Sequence, residues 1–125
     1  GPIEAPNNVM LDDEAQEFVY RQPTSIQELR QIIGAARCDP FAGYGADGDH
    51  HWNLQLIREW WQGMAERTIQ RERLASMNCG TEMWQNSTDE WFSFCTSRAE
   101  IYLRHYAFFV ENRRLPTSID SLPEL

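Results

Sequence analysis

The chain has 125 residues and a formal net charge of −8, from 19 acidic and 11 basic side chains. That length supports one domain with one core, and the acidic balance argues against sequence-independent nucleic-acid binding and against docking on anionic lipid. All of the basic residues are arginine, which excludes Schiff-base chemistry and lysine-centred phosphate loops.

Cys38, Cys79 and Cys95 are an odd number without a CxxC pair, which is not a disulfide framework. The chain therefore reads as intracellular, in a reducing cytoplasm or nucleus. No apolar run is long enough to span a membrane, and no signal peptide is visible. Five tryptophans imply large buried surfaces. Asn86-Ser87-Thr88 matches the glycosylation acceptor pattern, a three-residue motif that is common by chance.

In chain order, residues 1–11 read as a flexible arm opening on Gly1-Pro2, the scar of tag cleavage. Asp12 to Tyr20 reads as a short helix with Asp12, Asp13 and Glu14 at its positive end. A second helix follows over 25–38. Ser25 and Glu28 have capping-box spacing, and Ile26, Leu29, Ile33 and Ala36 or Arg37 form a helical stripe. The phrase PTSIQEL at Pro23–Leu29 returns as PTSIDSL at Pro116–Leu122. Their flanks differ, so these are two helix starts with the same local physics, not a structural repeat.

Residues 39–49, DPFAGYGADGD, form the one clear loop. It lacks the preceding strand and the GxGxxG or GKS/T pattern of a phosphate loop. Asp47, Asp49, His50 and His51 invite a metal reading, and with it a small metal-dependent enzyme. Adjacent histidines point roughly 100° apart on a helix, however, and do not make the usual clamp four residues apart. Asp47 and Asp49 more simply cap the next helix. No cofactor is expected, and the six cysteine and histidine side chains match no zinc finger or ribbon spacing.

A long helix is expected over 51–77. Leu54, Leu56, Ile57, Trp60, Trp61, Met64 and Ala65 cover its first half, and Trp60 and Trp61, as neighbours, cannot share one narrow stripe. Arg67 and Arg71 then continue the line of Trp60 and Met64. Asn78-Cys79-Gly80 reads as the helix stop, and 81–85 as one short turn. A second long helix is expected over 87–112, capped by Ser87 and Glu90. Its apolar residues, Trp91 to Val110, fill an arc of roughly 220°, about twice what a surface helix needs. Arg98 and His105 fall inside that arc. Residues 116–125 read as a tail or a truncated helix.

These elements predict an all-α fold: a small bundle built on a long helical hairpin, about 51–77 and 87–112, with two shorter N-terminal helices. The single helical domain covers 12–115. If the two long helices lie antiparallel, as a short connection favours, Trp60, Trp61, Arg67, Arg71, Arg98 and His105 line one groove. That groove suits an amphipathic acidic helix or peptide of another protein, or a second copy. The competing expectation is internal, with the acidic segment 12–17 folded back onto the arginines. No nucleophile motif or carboxylate pair points to catalysis, so the expected function is non-enzymatic protein–protein interaction within a larger protein.

Phe41-Ala42-Gly43 before a long helix, then Leu74, Gly80, Trp84 and Trp91 in order, resembles the sparse pattern of retrotransposon Gag capsid domains over about residues 41–106. The first 40 residues do not fit it. The resemblance implies a self-assembling, non-enzymatic shell domain.

Overall fold

The computed structural model describes the backbone of residues 1–12, 14–77 and 82–125, and their side chains except at positions 70, 71, 73–77, 83 and 84. The described chain is mostly helical, with six helices and a small two-stranded sheet. It divides into two compact units. Unit 1 comprises Gly1–Tyr44 and Glu66–Ser93, and unit 2 comprises Gly45–Ala65 and Phe94–Leu125.

The all-α expectation is corrected in unit 1. The segment expected as a short helix over 12–20 closes a hairpin, in which β1 (Val9–Leu11) and β2 (Glu17–Val19) pair antiparallel with Met10 opposite Phe18. The cause is local. Asp12 Oδ1 accepts the N–H of Glu14 at 3.0 Å and of Gln16 at 2.8 Å, and Ala15 takes a left-handed φ of 62°. A short acidic side chain that captures nearby amides competes with helix formation, and Phe18, Val19 and Tyr20 favour a pleated surface. Asp12 thus binds its own backbone, while Glu17 accepts the Tyr44 hydroxyl and pairs with the Gly1 amine at 3.3 Å. Residues 1–11 supply β1 and the buried Ala5, Asn8, Val9 and Met10.

Helix α1 (Ile26–Cys38) starts where the Ser25/Glu28 spacing predicts, with Ser25 Oγ accepting the Glu28 N–H at 3.1 Å. The Glu28 carboxylate reaches one residue further back than in a capping box, to the Thr24 N–H at 2.8 Å, and pairs with Arg21 at 2.7 Å. Ala35 joins Ala5 and Val9 in a small core, with Ile32 and Tyr44 packed against it. Trp91, on α5 (Glu82–Ser97), is 1% exposed and meets Phe18 and Tyr20 in T-shaped contacts, with ring centroids at 5.5 Å and 4.9 Å.

Both expected rods are interrupted. The first appears as α2 (Gly48–His51), α3 (Leu54–Gln62) and α4 (Met64–Met77). Asn53 caps α3, its Oδ1 accepting the Leu56 N–H at 3.0 Å; such a side chain begins a helix rather than extending one. Gly63 ends α3, as a weak helix former does. Replacing Asn53 with Ala is expected to cost about 1 kcal/mol, read as a lower urea midpoint with an unchanged slope.

The second rod starts earlier than expected and then breaks. Because α5 begins at Glu82, Ser87 is not its cap; the buried Ser87 hydroxyl donates to the Pro2 carbonyl at 2.8 Å. The break falls at Arg98 (φ −126°, ψ −22°), after which α6 (Ala99–Asn112) begins. Thr96 and Ser97, just before it, are short polar residues that favour helix ends over interiors. The expected stop at Asn78-Cys79-Gly80 lies outside the described residues.

In unit 2, α3 packs against α6, and the interior holds Ile57, Met64, Phe94, Leu103, Ala107 and Phe108. Residues 115–125 contain no helix. Arg114 grips Asp120 through two 2.8 Å hydrogen bonds, while Arg104 and Arg58 donate to the carbonyls of Pro123 and Glu124 at 2.9 Å and 2.8 Å.

Candidate interaction surfaces

Ala35 and Glu28, with Ile32, anchor α1 to the rest of unit 1 from one side. On a wheel of roughly 100° per residue, Ile26, Ile33 and Arg37 lie within roughly 40° of one another on the opposite side, with Leu29 on one flank and Arg30 on the other. Their exposure agrees: Ile26 is 72% exposed, Leu29 47% and Ile33 43%. Arg30 and Arg37 are also exposed, and the side chain of neither makes a hydrogen bond or ion pair with a described residue. Just past the helix, Asp39 accepts the N–H groups of Phe41 at 3.0 Å and Gly43 at 2.6 Å, and these two bonds hold its carboxyl below the usual carboxylate range. The capped turn displays Phe41, 89% exposed.

The residues expected to line one groove fall in both units. Trp60 and Trp61 of α3 are half-buried in unit 2, and Arg67 is half-buried on α4 in unit 1. The side chain of Arg71 lies outside the described residues. Arg98 and His105 are exposed in unit 2, with Ile101 exposed between them. The Arg98 guanidinium lies 5.9 Å from the centre of the Phe94 ring. The buried face of α6 carries Ala99, Leu103, Ala107 and Val110, which places His105 on its outer face. Ile101 and Phe109, which flank His105 on the wheel, lie on α6 with it, so the apolar arc around His105 is present in the helix. Its side is left outside because α6 buries the side that carries Ala99, Leu103, Ala107 and Val110 and leaves Ile101 49% exposed.

In the segment considered for a metal, His51 Nε2 lies 2.8 Å from Asp47 Oδ2. The His51 contact and the backbone N–H of Asp47 hold that carboxyl below its ordinary range. Asp49 is engaged elsewhere: Tyr106 donates its hydroxyl to Asp49 Oδ1 at 2.8 Å, and Arg113 donates to the Asp49 carbonyl at 2.8 Å. His50 is exposed. Among the described residues no group of three His, Cys, Asp or Glu side chains is placed to hold a metal ion.

Burial, followed by the hydrogen bond to Asp49 and its charge, pushes the Tyr106 phenol well above its usual range, and burial with Glu17 does the same to Tyr44. Tyr44→Phe and Tyr106→Phe together are expected to remove the highest-pH part of the rise in phenolate ultraviolet absorbance. An unchanged alkaline limb in the double variant would place both phenols in open solvent.

The outward stripe of α1 was legible as a helical stripe, but its periodicity alone reads as a core face. The signal that it faces outward is Arg30 and Arg37, which lie within its arc. Of the residues that carry the Gag resemblance, Phe41 is exposed and Trp91 buried, while Gly80 and the side chains of Leu74 and Trp84 lie outside the described residues. Comparison of the chain with protein-family models, with curated proteins and with solved structures gives no match.

Proposed function

We propose that this chain is a non-enzymatic protein-interaction domain that docks a partner helix or peptide. The observation that carries the reading is the outer face of α1, where Ile26, Leu29 and Ile33 stand in solvent at the i, i+3, i+7 spacing. Single exposed apolar residues are ordinary, whereas an aligned patch marks a surface that something covers. Regularly spaced aliphatic anchors on one helix face are what helix-to-helix recognition uses. The half-buried Trp60 and Trp61 and the exposed Arg98 and His105 of unit 2 serve as a second docking face in the same reading. Among the described residues no helix is long and apolar enough to cross a membrane.

The test is site-specific photo-crosslinking in an extract of the source cells. A photoreactive residue at Ile33 is expected to give discrete adducts that the same residue at Glu100, exposed on α6, does not give. Equal, diffuse labelling at both positions would remove the α1 face as a docking surface. Adducts only at Trp60 or His105 would move the docking surface to unit 2.

A further inference from the structure

We infer that the occupant of the α1 face is an acidic amphipathic helix, a reading that rests on the interaction role proposed above and gives it a partner chemistry. Three observations carry it. The face is long and narrow: Ile26, Leu29 and Ile33 cover two turns of a 13-residue helix, which matches the apolar seam of another helix and not a flat sheet. Arg30 and Arg37 lie seven residues apart along one border of that seam. Both are exposed, and neither is tied to a carboxylate among the described residues.

The nearest acid on α1, Glu28, lies on the opposite side of the helix and is held by Arg21 at 2.7 Å. The border is therefore locally positive on a chain whose formal net charge is −8. Charges more than about 8 Å away are largely screened at physiological ionic strength. Asp39, just past the helix, has its two carboxylate oxygens on the Phe41 and Gly43 N–H groups, so along α1 itself the two arginines set the sign the partner meets. A partner helix with aliphatic residues at i, i+3/4 and i+7 fills the seam. Glutamates or aspartates along one border of that helix then accept paired N–H bonds from the guanidiniums.

A second copy of the chain is the poorer occupant. In a two-fold antiparallel pair the same flank of each helix meets. Arg30 and Arg37 would then face their own counterparts, and like charges at that spacing repel.

The probe is a fluorescein-labelled model peptide with a leucine seam and glutamates along one border, titrated with the whole chain by anisotropy. Its partner probe is identical except that lysines replace the glutamates. The expected result is binding of the acidic peptide at least tenfold tighter than the lysine peptide, with the preference reversed in the Arg30→Glu/Arg37→Glu double variant. Ile33→Asp is expected to abolish binding of both, and the circular dichroism of each variant confirms that it has folded. Equal affinity for the two peptides overturns the acidic partner. So does concentration-dependent dimerisation in light scattering that Ile33→Asp abolishes, because a second copy then holds the face. If neither peptide binds while the photoreactive residue at Ile33 still gives discrete adducts, the interaction role stands and only the acidic-helix assignment fails.

Discussion

Trp91→Ala is expected to lower the stability of the chain by about 4 kcal/mol, the range for emptying a well-packed aromatic site. Trp91 is 1% exposed and is the largest fully buried side chain among the described residues. Phe18 and Tyr20, on and just after β2, meet its indole edge-to-face at 5.5 Å and 4.9 Å, and such pairs add to the value of the buried area. The strands are three residues each, and an isolated two-stranded hairpin is marginal in water. The hairpin of unit 1 therefore depends on α5 for its packing. Total stabilities of small domains are about 5–15 kcal/mol, so a loss of this size removes much of the margin. Trp91→Phe keeps an aromatic partner and is expected to recover more than half of the loss. Urea denaturation followed by far-ultraviolet circular dichroism gives both numbers. A cost under about 1 kcal/mol for Trp91→Ala would show that the hairpin does not pack on α5 through this ring.

How much of this fold the sequence reveals depends on where a local rule has no competitor. Ser25 and Glu28 mark the start of α1 correctly because Ser25 caps its own helix end, while the Glu28 carboxylate reaches back past it to Thr24 and Arg21. Ser87 and Glu90 show the same spacing and mark nothing, since Ser87 sits inside α5 with its hydroxyl on the Pro2 carbonyl. Only the tertiary contact separates the two cases. The breaks at Asn53, Gly63 and Arg98 have modest local signals, and a long apolar period reads straight through them. Each break resets the phase of the wheel. His105 is misplaced for another reason: its apolar wheel neighbours Ile101 and Phe109 share α6 with it, but that helix buries the side of Ala99, Leu103, Ala107 and Val110 and leaves Ile101 49% exposed. Segment 12–20 fails for a different reason: an acidic opening followed by Phe18 and Val19 fits a helix start and a hairpin turn equally, and Asp12 decides it by binding two amides of its own turn. The chemistry-bearing residues were easier to find than their groupings. Asp47 and His51 do meet, but as a pair with each other, and Asp49 turns to Tyr106.

Glu28→Gln tests the placement of α1 on which the proposed docking face depends. Burial acts to raise the Glu28 pKa. The Thr24 N–H, the Arg21 guanidinium and the Thr24 hydroxyl overcome it and hold the pKa at about 2, against an ordinary value of 4.5. A carboxylate whose folded pKa is depressed contributes stability above its unfolded pKa and loses it as pH falls through the folded one. The contribution is therefore complete above about pH 4.5 and gone near pH 2. The pair's side chains are 13% and 12% exposed. With that solvent access, the value expected at neutral pH is about 2 kcal/mol. Glu28→Gln should lose that amount at pH 7 and match the parent chain near pH 2, as read from urea midpoints across the range. Ile33→Ala is the comparison that gives the result its meaning. If Ala35, Ile32 and Glu28 hold α1 down while Ile33 faces water, Ile33→Ala changes stability by less than about 0.5 kcal/mol. A reversed order, with Ile33→Ala costing more than Glu28→Gln, would turn the aliphatic stripe toward the core and leave no apolar face on α1 for a partner to cover.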